Sequence, residues 1–466
     1  MVFSSPHGII PIPKGKSAWD WVEDHAVNIP NKPAYICAIT NRRLTFADVH
    51  DHARKICAAL AAAGIKKGDV VTLHSFNCVE YPVIFLALTR LGAVCATASP
   101  MFNEDELADQ VKHSESVALI TNAKLVDIAV KAATTSEIEM NRVYTIGHAD
   151  TSVKLMSIED MLAMDIPFPN LPPVDPEDIV AMPFSSGTTA RPKGVLLTGR
   201  ALVAGAIMSS HSEQDMEYTV TVLPFFHIMT MLLFHMAYKI GWGTIVLPKF
   251  MPDEYLGAIV KYKVWNVFVA PPIVQFFAKH PIVDKYDLSC LKYIGAGGAP
   301  MGTEVEEAVF KRIGAKGYYK NPEETEKSIT EDRFVHTGDV GYIDNDGFIF
   351  IVDRVKEMIK YKGHQVAPAE LEDVLHGHPA VVDSCCVRGR DEASGEEIPK
   401  AFVVLREGAS STAEEIMGFV GEKVAPYKRV RQIEFLDAIP KTMSGKILRR
   451  QLQLRENNRM KAATAS

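Results

Sequence analysis

Between Thr45 and Val269 the chain alternates short apolar runs of strand length with amphipathic stretches of helix length. The strand-like runs are 70–73, a run from Ala93, 117–121, 179–184, 220–223, 244–247 and 267–269. A strand and a helix each bury one face, and regular alternation satisfies both only in a layered α/β domain. The boundaries are marked locally. Thr45 suits a helix N-cap, with Asp48 three residues on. Apolar Val49, Ile56 and Leu60 follow at roughly helical spacing, and Gly64 closes the segment. A second helix is expected over 81–91, ended by Gly92.

The pattern changes near Val340. Tyr342-Ile343 and the run 348–352 flank Asp344-Asn345-Asp346-Gly347, a strong hairpin turn. Beyond Asp353 the elements are shorter, and helix and strand signals mix. The expected architecture is a large multi-layer N-terminal α/β domain, residues 1–353, followed by a small C-terminal α+β domain, residues 354–466. The polar, basic stretch from Arg449 to Ser466 is expected to be a frayed tail.

Composition excludes some functions. The net charge of −7 lacks the basic footprint of a nucleic-acid binder. The seven cysteines are odd in number and contain no Cys-x-x-Cys, which argues for reduced thiols and against a zinc site. The most apolar stretch, 81–98, is interrupted by Thr89, Arg90 and Gly92, too short and broken for a membrane span. The N-terminus has no basic n-region followed by an apolar run, and the last residues are Ala-Thr-Ala-Ser rather than a Ser-Lys-Leu address. A cytoplasmic location is the expectation.

The run Ser185-Ser186-Gly187-Thr188-Thr189-Ala190-Arg191-Pro192-Lys193-Gly194 follows the strand over 179–184 directly. Backbone N–H groups in a Gly-containing turn form an anion concavity. Four hydroxyls add donors and Lys193 adds a point charge, so the segment suits an oligophosphate. The spacing does not fit a Walker loop. On composition alone a polar surface turn fits as well. The segment resembles the signature of the AMP-binding, adenylate-forming superfamily, and the likeness extends in order over nearly the whole chain. Its wording is closest to 4-coumarate–CoA ligase-like acyl-CoA synthetases. The resemblance implies the adenylate-forming enzyme fold, with Ser185, Ser186, Gly187, Thr188, Thr189 and Lys193 closing on the β- and γ-phosphates of ATP.

Further motifs follow in order. Leu223-Pro224-Phe225-Phe226-His227 ends on a histidine that, taken alone, reads as a packed core residue. The resemblance puts His227 beside the acyl pocket. Met229 stands where several relatives that take phenolic acids carry tyrosine. Gly295-Ala296-Gly297-Gly298-Ala299-Pro300 is small enough for backbone to approach a flat ring, and the resemblance sets adenine and the acyl chain beside Gly298. Thr337-Gly338-Asp339 and Asp353-Arg354-Val355-Lys356 bracket the hairpin. By resemblance Asp339 binds the ribose, Arg354 is the ligand arginine and Lys356 is the hinge. Lys360 and Gln365 are implied to face the site during thioester formation, while Lys362, Gly363 and Lys249 approach coenzyme A. Pro440-Lys441-Thr442-Met443-Ser444-Gly445-Lys446 carries the family's mobile catalytic lysine, Lys446. Each lysine by itself is more often a solvated charge.

These residues imply two steps. A carboxylate is a poor electrophile, and joining it to AMP supplies a good leaving group; the thiol of coenzyme A then attacks the acyl carbon. Lys446 serves the first step, with magnesium and lysines neutralising phosphate charge. Lys360 and Gln365 serve the second, and a hinge presents each set in turn. The implied substrates are ATP with Mg2+, coenzyme A and a carboxylic acid, aryl or fatty.

One departure is large. After a helix over 302–313 the alternation calls for a strand, yet Gly314-Ala315-Lys316 leads into Gly317-Tyr318-Tyr319-Lys320-Asn321-Pro322-Glu323-Glu324-Thr325. Relatives carry a stretch on the order of several dozen residues there, with a Gln-Gly-Tyr-Gly-x-Thr-Glu motif for adenine, α-phosphate and magnesium. The N-terminal domain is thus read as incomplete near 314–320, by an internal deletion after about Ala315, and no metal ligand is assigned. Losing a strand would also open a sheet edge. Gly199 is a smaller departure, where relatives often have histidine. The readings carried forward are an acid–thiol ligase, an adenylate-forming enzyme with another acceptor such as a carrier-protein thiol, and an impaired nucleotide- or acyl-binding pseudoenzyme or truncated isoform.

Overall fold

A computed structural model describes residues 11–151, 153–185, 193–209, 217–296, 308–309, 312–313, 339–343, 349–354, 357–362, 364–391, 396–441 and 447–464. The chain divides into two units. The first comprises Met1–Val269, His280–Gly295 and Ile313–Lys316; the second comprises Ala270–Lys279, Ala296–Arg312 and Gly317–Ser466.

The strands of the first unit, in chain order, are β1 (Pro33–Cys37), β2 (Arg43–Thr45), β3 (Val70–His74), β4 (Val94–Ala98), β5 (Ala118–Asn122), β6 (Val143–Ile146), β7 (Met156–Ser157), β8 (Ile179–Ser185), β9 (Lys193–Gly194), β10 (Leu197–Thr198), β11 (Tyr218–Thr221), β12 (Gly243–Val246), β13 (Asn266–Val269) and β14 (Tyr293–Ala296). One sheet has the order β10-β8-β4-β3-β5-β6-β7, with β9 paired to β8. From β8 to β7 its neighbours run parallel. A second sheet has the order β11-β12-β1-β2, and β13 pairs with β14. Helices connect the parallel strands, so the layered α/β expectation describes this unit.

Local signals account for the element ends. Thr45 and Asp48 form a reciprocal capping box at the start of helix Phe46–Ala62, with Asp48 N donating to Thr45 Oγ1 at 3.1 Å and Thr45 N donating to Asp48 Oδ2 at 2.8 Å. Helix Glu80–Leu91 ends at Gly92, whose φ of 78° is left-handed and favours glycine. The core gathers aromatic rings from distant segments. Phe225 packs edge-on against Phe234 at 4.8 Å and against Tyr81 at 5.6 Å between centroids.

Two strands lie earlier than expected. The run at 220–223 forms a strand over Tyr218–Thr221, and that at 244–247 over Gly243–Val246. Each run leads into a proline, Pro224 and Pro248. Without an N–H a proline cannot continue a ladder, and the chain turns out of the sheet before it.

All seven cysteines are free. Burial pushes the Cys57 thiol up to about 12, so it stays protonated. Two histidines are equally enclosed. His74 lies 3.1 Å from Thr121 Oγ1 through Nδ1, and His235 Nδ1 lies 2.7 Å from the Met231 carbonyl. Burial lowers both pKa values to about 4. In the unfolded chain they titrate near 6.5, so between these values the unfolded state binds the extra protons and stability falls as pH falls. By pH 5 each histidine should cost about 2 kcal/mol relative to pH 7.5. Urea unfolding at the two pH values checks this; a midpoint that does not fall at pH 5 would contradict it.

The second unit contains β15 (Asp339–Ile343), β16 (Ile349–Arg354), β17 (Ile359–Tyr361), β18 (His364–Val366), β19 (Val381–Arg390), β20 (Glu397–Leu405) and β21 (Gln432–Phe435). β15 pairs antiparallel with β16 and joins Ile343 to Ile349 in register across the expected turn. β19 and β20 are antiparallel, β20 and β21 parallel. Helix Pro368–His376 and helix Ala413–Lys423 supply Leu371, Leu375, Ile416 and Val420 to its core.

The frayed tail expected from Arg449 onward is corrected. Arg449–Thr464 is a helix that buries Leu452 and Glu456. Its anchors are sparse apolar and paired charged positions rather than a continuous apolar stripe, so periodicity does not reveal them. Among the described residues no helix is long and apolar enough to cross a membrane.

Candidate functional site

In open α/β sheets ligands bind beyond the carboxyl ends of the strands. In the first unit β8, β11 and β12 all end near residues singled out by sequence. β8 and β4 run in register, with Thr97 opposite Pro183. The chain leaves β8 at Ser185 and returns as β9, which pairs antiparallel with it, Ser185 opposite Lys193 and Phe184 opposite Gly194. The two ends of the hydroxyl-rich run are therefore held together at the sheet. Lys193 is exposed at its foot. Ser186, Gly187, Thr188 and Thr189 lie outside the described residues.

His227 caps helix Ile228–Ile240. Its Nδ1 accepts from Met229 N at 3.3 Å, so the neutral ring carries its proton on Nε2. The approach to His227 is tightly tied. Thr97 Oγ1 donates to the Phe226 carbonyl at 2.8 Å, and Thr230 Oγ1 to the Pro224 carbonyl at 2.9 Å. Asn77 Nδ2 donates to the Leu223 carbonyl at 3.0 Å, and Phe225 N donates to Asn77 Oδ1 at 2.8 Å. Lys249 lies exposed two residues beyond Leu247, whose carbonyl accepts a further bond from Asn77 at 3.1 Å. Asn77 and Thr97 were not legible as site-shaping residues. The only signal was a polar residue following a buried strand or ending one.

β14 leads toward Gly298, which lies outside the described residues. At Gly295, within β14, an added Cβ would come within 2.9 Å of Phe268 Cδ1, so the close strand packing there needs glycine.

The second unit holds the remaining candidates. Asp339 and Arg354 are Cα partners at the open end of the β15–β16 hairpin. β17 and β18 form a short hairpin in which Ile359 opposes Val366 and Lys360 opposes Gln365. Side chains alternate along a strand. Ile359 and Val366 are buried in the core, which turns Lys360 and Gln365 together to the exposed face. The Lys360 N–H donates to Glu397 Oε2 at 2.9 Å and ties the hairpin to β20. Lys362 is in the turn with φ of 46° and is exposed. Tyr361 is covered by the Arg431 guanidinium at 3.8 Å, and His364 stacks on Tyr427 at 4.3 Å. These contacts fix the hairpin while leaving Lys360 and Gln365 exposed. Gly363 lies outside the described residues.

Lys446 also lies outside them, yet the stem of its segment is described. Lys441 and Ile447 form an antiparallel bridge, and Leu448 N donates to the Pro440 carbonyl at 2.8 Å. Lys441 Nζ is 2.6 Å from Asp383, which also faces His376 at 3.6 Å. Arg449 binds Glu357 at 2.9 Å, the Cys386 carbonyl at 2.9 Å and both oxygens of Glu372. Sequence reading gave no sign of Asp383, Glu372 or Arg449 as anchors of this stem, because their partners are remote in the chain.

Among the described residues no group of three or more His, Cys, Asp or Glu could hold a metal ion.

A profile of the AMP-binding enzyme family matches residues 22–319, and one of the AMP-binding enzyme C-terminal domain matches residues 370–446. A 4-coumarate–CoA ligase from Vanilla planifolia is 32% identical, covering 98% of this chain and 96% of its own length. That alignment runs over 532 positions against 466 residues here, so the relative has stretches without a counterpart. The crystal structure of the anthranilate CoA ligase AuaEII in complex with anthranoyl-AMP superimposes with a TM-score of 0.83 at 21% identity, covering 97% of this chain and 99% of that one. ATP-bound MatB from Rhodopseudomonas palustris gives a TM-score of 0.81 at 21% identity, covering 94% and 99%.

Proposed function

We propose, because the chain belongs to the AMP-binding enzyme family, that it is an acid–thiol ligase that forms an acyl-adenylate from a carboxylic acid and ATP and passes the acyl group to coenzyme A. The carboxylate oxygen bonds to the α-phosphorus as pyrophosphate leaves. The coenzyme A sulfur then bonds to the acyl carbon as AMP leaves. The observation that carries this reading is the pairing of β8 with β9, which holds the two ends of the hydroxyl-rich run together at the carboxyl end of β8 beside exposed Lys193. The vanilla relative bears the name of a CoA ligase, and the AuaEII structure holds an acyl-adenylate.

The roles divide by step. Ser185, Ser186, Gly187, Thr188, Thr189 and Lys193 are assigned to the β- and γ-phosphates, Asp339 to the ribose, Arg354 to ribose or phosphate, and Gly298 to the adenine and acyl chain. His227 sits by the acyl group and Lys446 serves adenylation. Lys360 and Gln365 serve thioester formation, with Lys249, Lys362 and Gly363 toward coenzyme A. The exposed pairing of Lys360 with Gln365 supports their acting as one face. We set the domain boundary at Asp353/Arg354 with the hinge at Lys356, and the acid as aryl or fatty. Magnesium enters as part of the MgATP substrate.

The alternative carried from the sequence starts from the stretch that relatives have and this chain lacks. The alignment exceeds the chain in length, and neither family profile matches residues 320–369. On that reading the chain binds nucleotide or acyl group without turnover. Pyrophosphate release with a panel of aryl and fatty acids separates the two. Acid-dependent release, with thioester formed only when coenzyme A is added, is the expected result. Adenylate that never yields the thioester would assign another acceptor, such as a carrier-protein thiol. ATP binding with no release for any acid would overturn the ligase reading in favour of the second.

A further inference from the structure

We infer that Asn77 is a positioning residue that ties the segment carrying His227 to the segment carrying Lys249, so that one buried side chain sets the geometry of both; the inference rests on the roles proposed above for those two residues. Asn77 follows the carboxyl end of β3 and is 7% exposed. Its amide reaches across to the other sheet. One Nδ2 donor bond goes to the Leu223 carbonyl at 3.0 Å and the other to the Leu247 carbonyl at 3.1 Å, while Oδ1 accepts from Phe225 N at 2.8 Å.

The need for such a tie follows from where the ladder stops. β11 and β12 are parallel neighbours, and Leu247 N still donates to the Thr221 carbonyl at 3.1 Å. The next residues include Pro224 and Pro248, which offer no N–H. The Leu223 and Leu247 carbonyls and the Phe225 amide thus leave the sheet in a buried region, where an unpaired backbone group is costly. An asparagine amide supplies the matching set of two donors and one acceptor. Aspartate would keep the acceptor but set a carboxylate against two carbonyls. Leucine would satisfy none of the three.

Thr97 separates this role from general packing. The residue is 2% exposed, and among the described residues its hydroxyl bonds the Phe226 carbonyl alone, on the His227 side. Replacing Thr97 should disturb one segment, and replacing Asn77 both.

The experiment compares Asn77→Asp, Asn77→Leu and Thr97→Val with the parent full-length chain by hydrogen–deuterium exchange and by steady-state kinetics. Exchange should rise at 223–227 and 247–250 together in both Asn77 variants, with the rest of the first unit unchanged, and at 223–227 alone in Thr97→Val. With an acid that turns over, the Asn77 variants should raise KM for both the acid and coenzyme A by about tenfold to a hundredfold. Thr97→Val should leave KM for coenzyme A unchanged. A rise in exchange at one segment only, or a uniform rise with both KM values unmoved, would overturn the inference. If the parent chain turns over no acid, the ligase reading fails, and the exchange pattern still decides whether Asn77 couples the two segments.

Discussion

Lys446→Ala should slow acyl-adenylate formation by about a hundredfold to a thousandfold, while thioester formation from a supplied acyl-adenylate stays near the parent rate. The selectivity is the informative part. A lysine that balances charge between a carboxylate and an α-phosphate matters only while that bond forms. Its segment is closed at the stem by the Lys441–Ile447 bridge, and the stem is braced by Asp383 and Arg449. Such bracing limits the entropy lost when a long flexible side chain is brought to a reacting centre. The Lys360–Gln365 pair sits on a separate hairpin, so the second step should not sense the loss. The two half-reactions are measured apart, by acid-dependent pyrophosphate exchange and by thioester formation from synthetic adenylate. An unchanged adenylation rate would remove Lys446 from the proposed mechanism.

Arg449→Met should destabilise the second unit by about 3–5 kcal/mol, the usual cost of removing one partner from a buried ion pair. The Arg449 side chain is 14% exposed and its partner Glu372 is 8% exposed. The guanidinium also bonds Glu357 and the Cys386 carbonyl. Methionine nearly matches the volume but removes the guanidinium that bonds both oxygens of the Glu372 carboxylate. Glu372 keeps its bond from Cys386 N, which cannot replace a full charge. Arg449→Lys should recover only part of the loss, because a single ammonium cannot reproduce the guanidinium fork. The double variant Arg449→Met, Glu372→Leu should be substantially more stable than Arg449→Met alone, since it removes the buried carboxylate that faced the guanidinium as well. Urea unfolding followed at the second unit measures all three. A methionine variant as stable as the parent would show that the pair contributes nothing net. Because Arg449 lies three residues from Lys446, its loss should also lower the adenylation rate of the folded fraction.

Much of the fold was legible in short windows. The Thr45–Asp48 box and the left-handed Gly92 each depend on residues within a few positions, and the structure contains them as read; the strands flanking Asp344–Gly347 pair antiparallel, with Ile343 opposite Ile349. Strand–helix alternation likewise identified the layered first unit. The errors arose where partners are remote. Two strands stop early because the following prolines turn their ends away from the ladder. The supposed tail is a docked helix because Arg449 meets Glu372, 77 residues away, and Glu357, 92 residues away.

The candidate site divides in the same way. Its chemistry-bearing residues were named from local motifs, since hydroxyls, glycines and lysines declare their chemistry wherever they stand. What orients them was not legible. Asn77 bonds residues 146 and 170 positions along the chain. Nothing beside it in sequence distinguishes it from any other polar residue after a buried strand. The sequence by itself determined which elements form and which chemical groups they carry, because torsional preference, capping and side-chain chemistry act between near neighbours. Only the tertiary structure decided which buried carbonyls and charges would lack a local partner. Those needs arise when distant strands are brought side by side, and they are why Asn77, Glu372 and Arg449 have their positions.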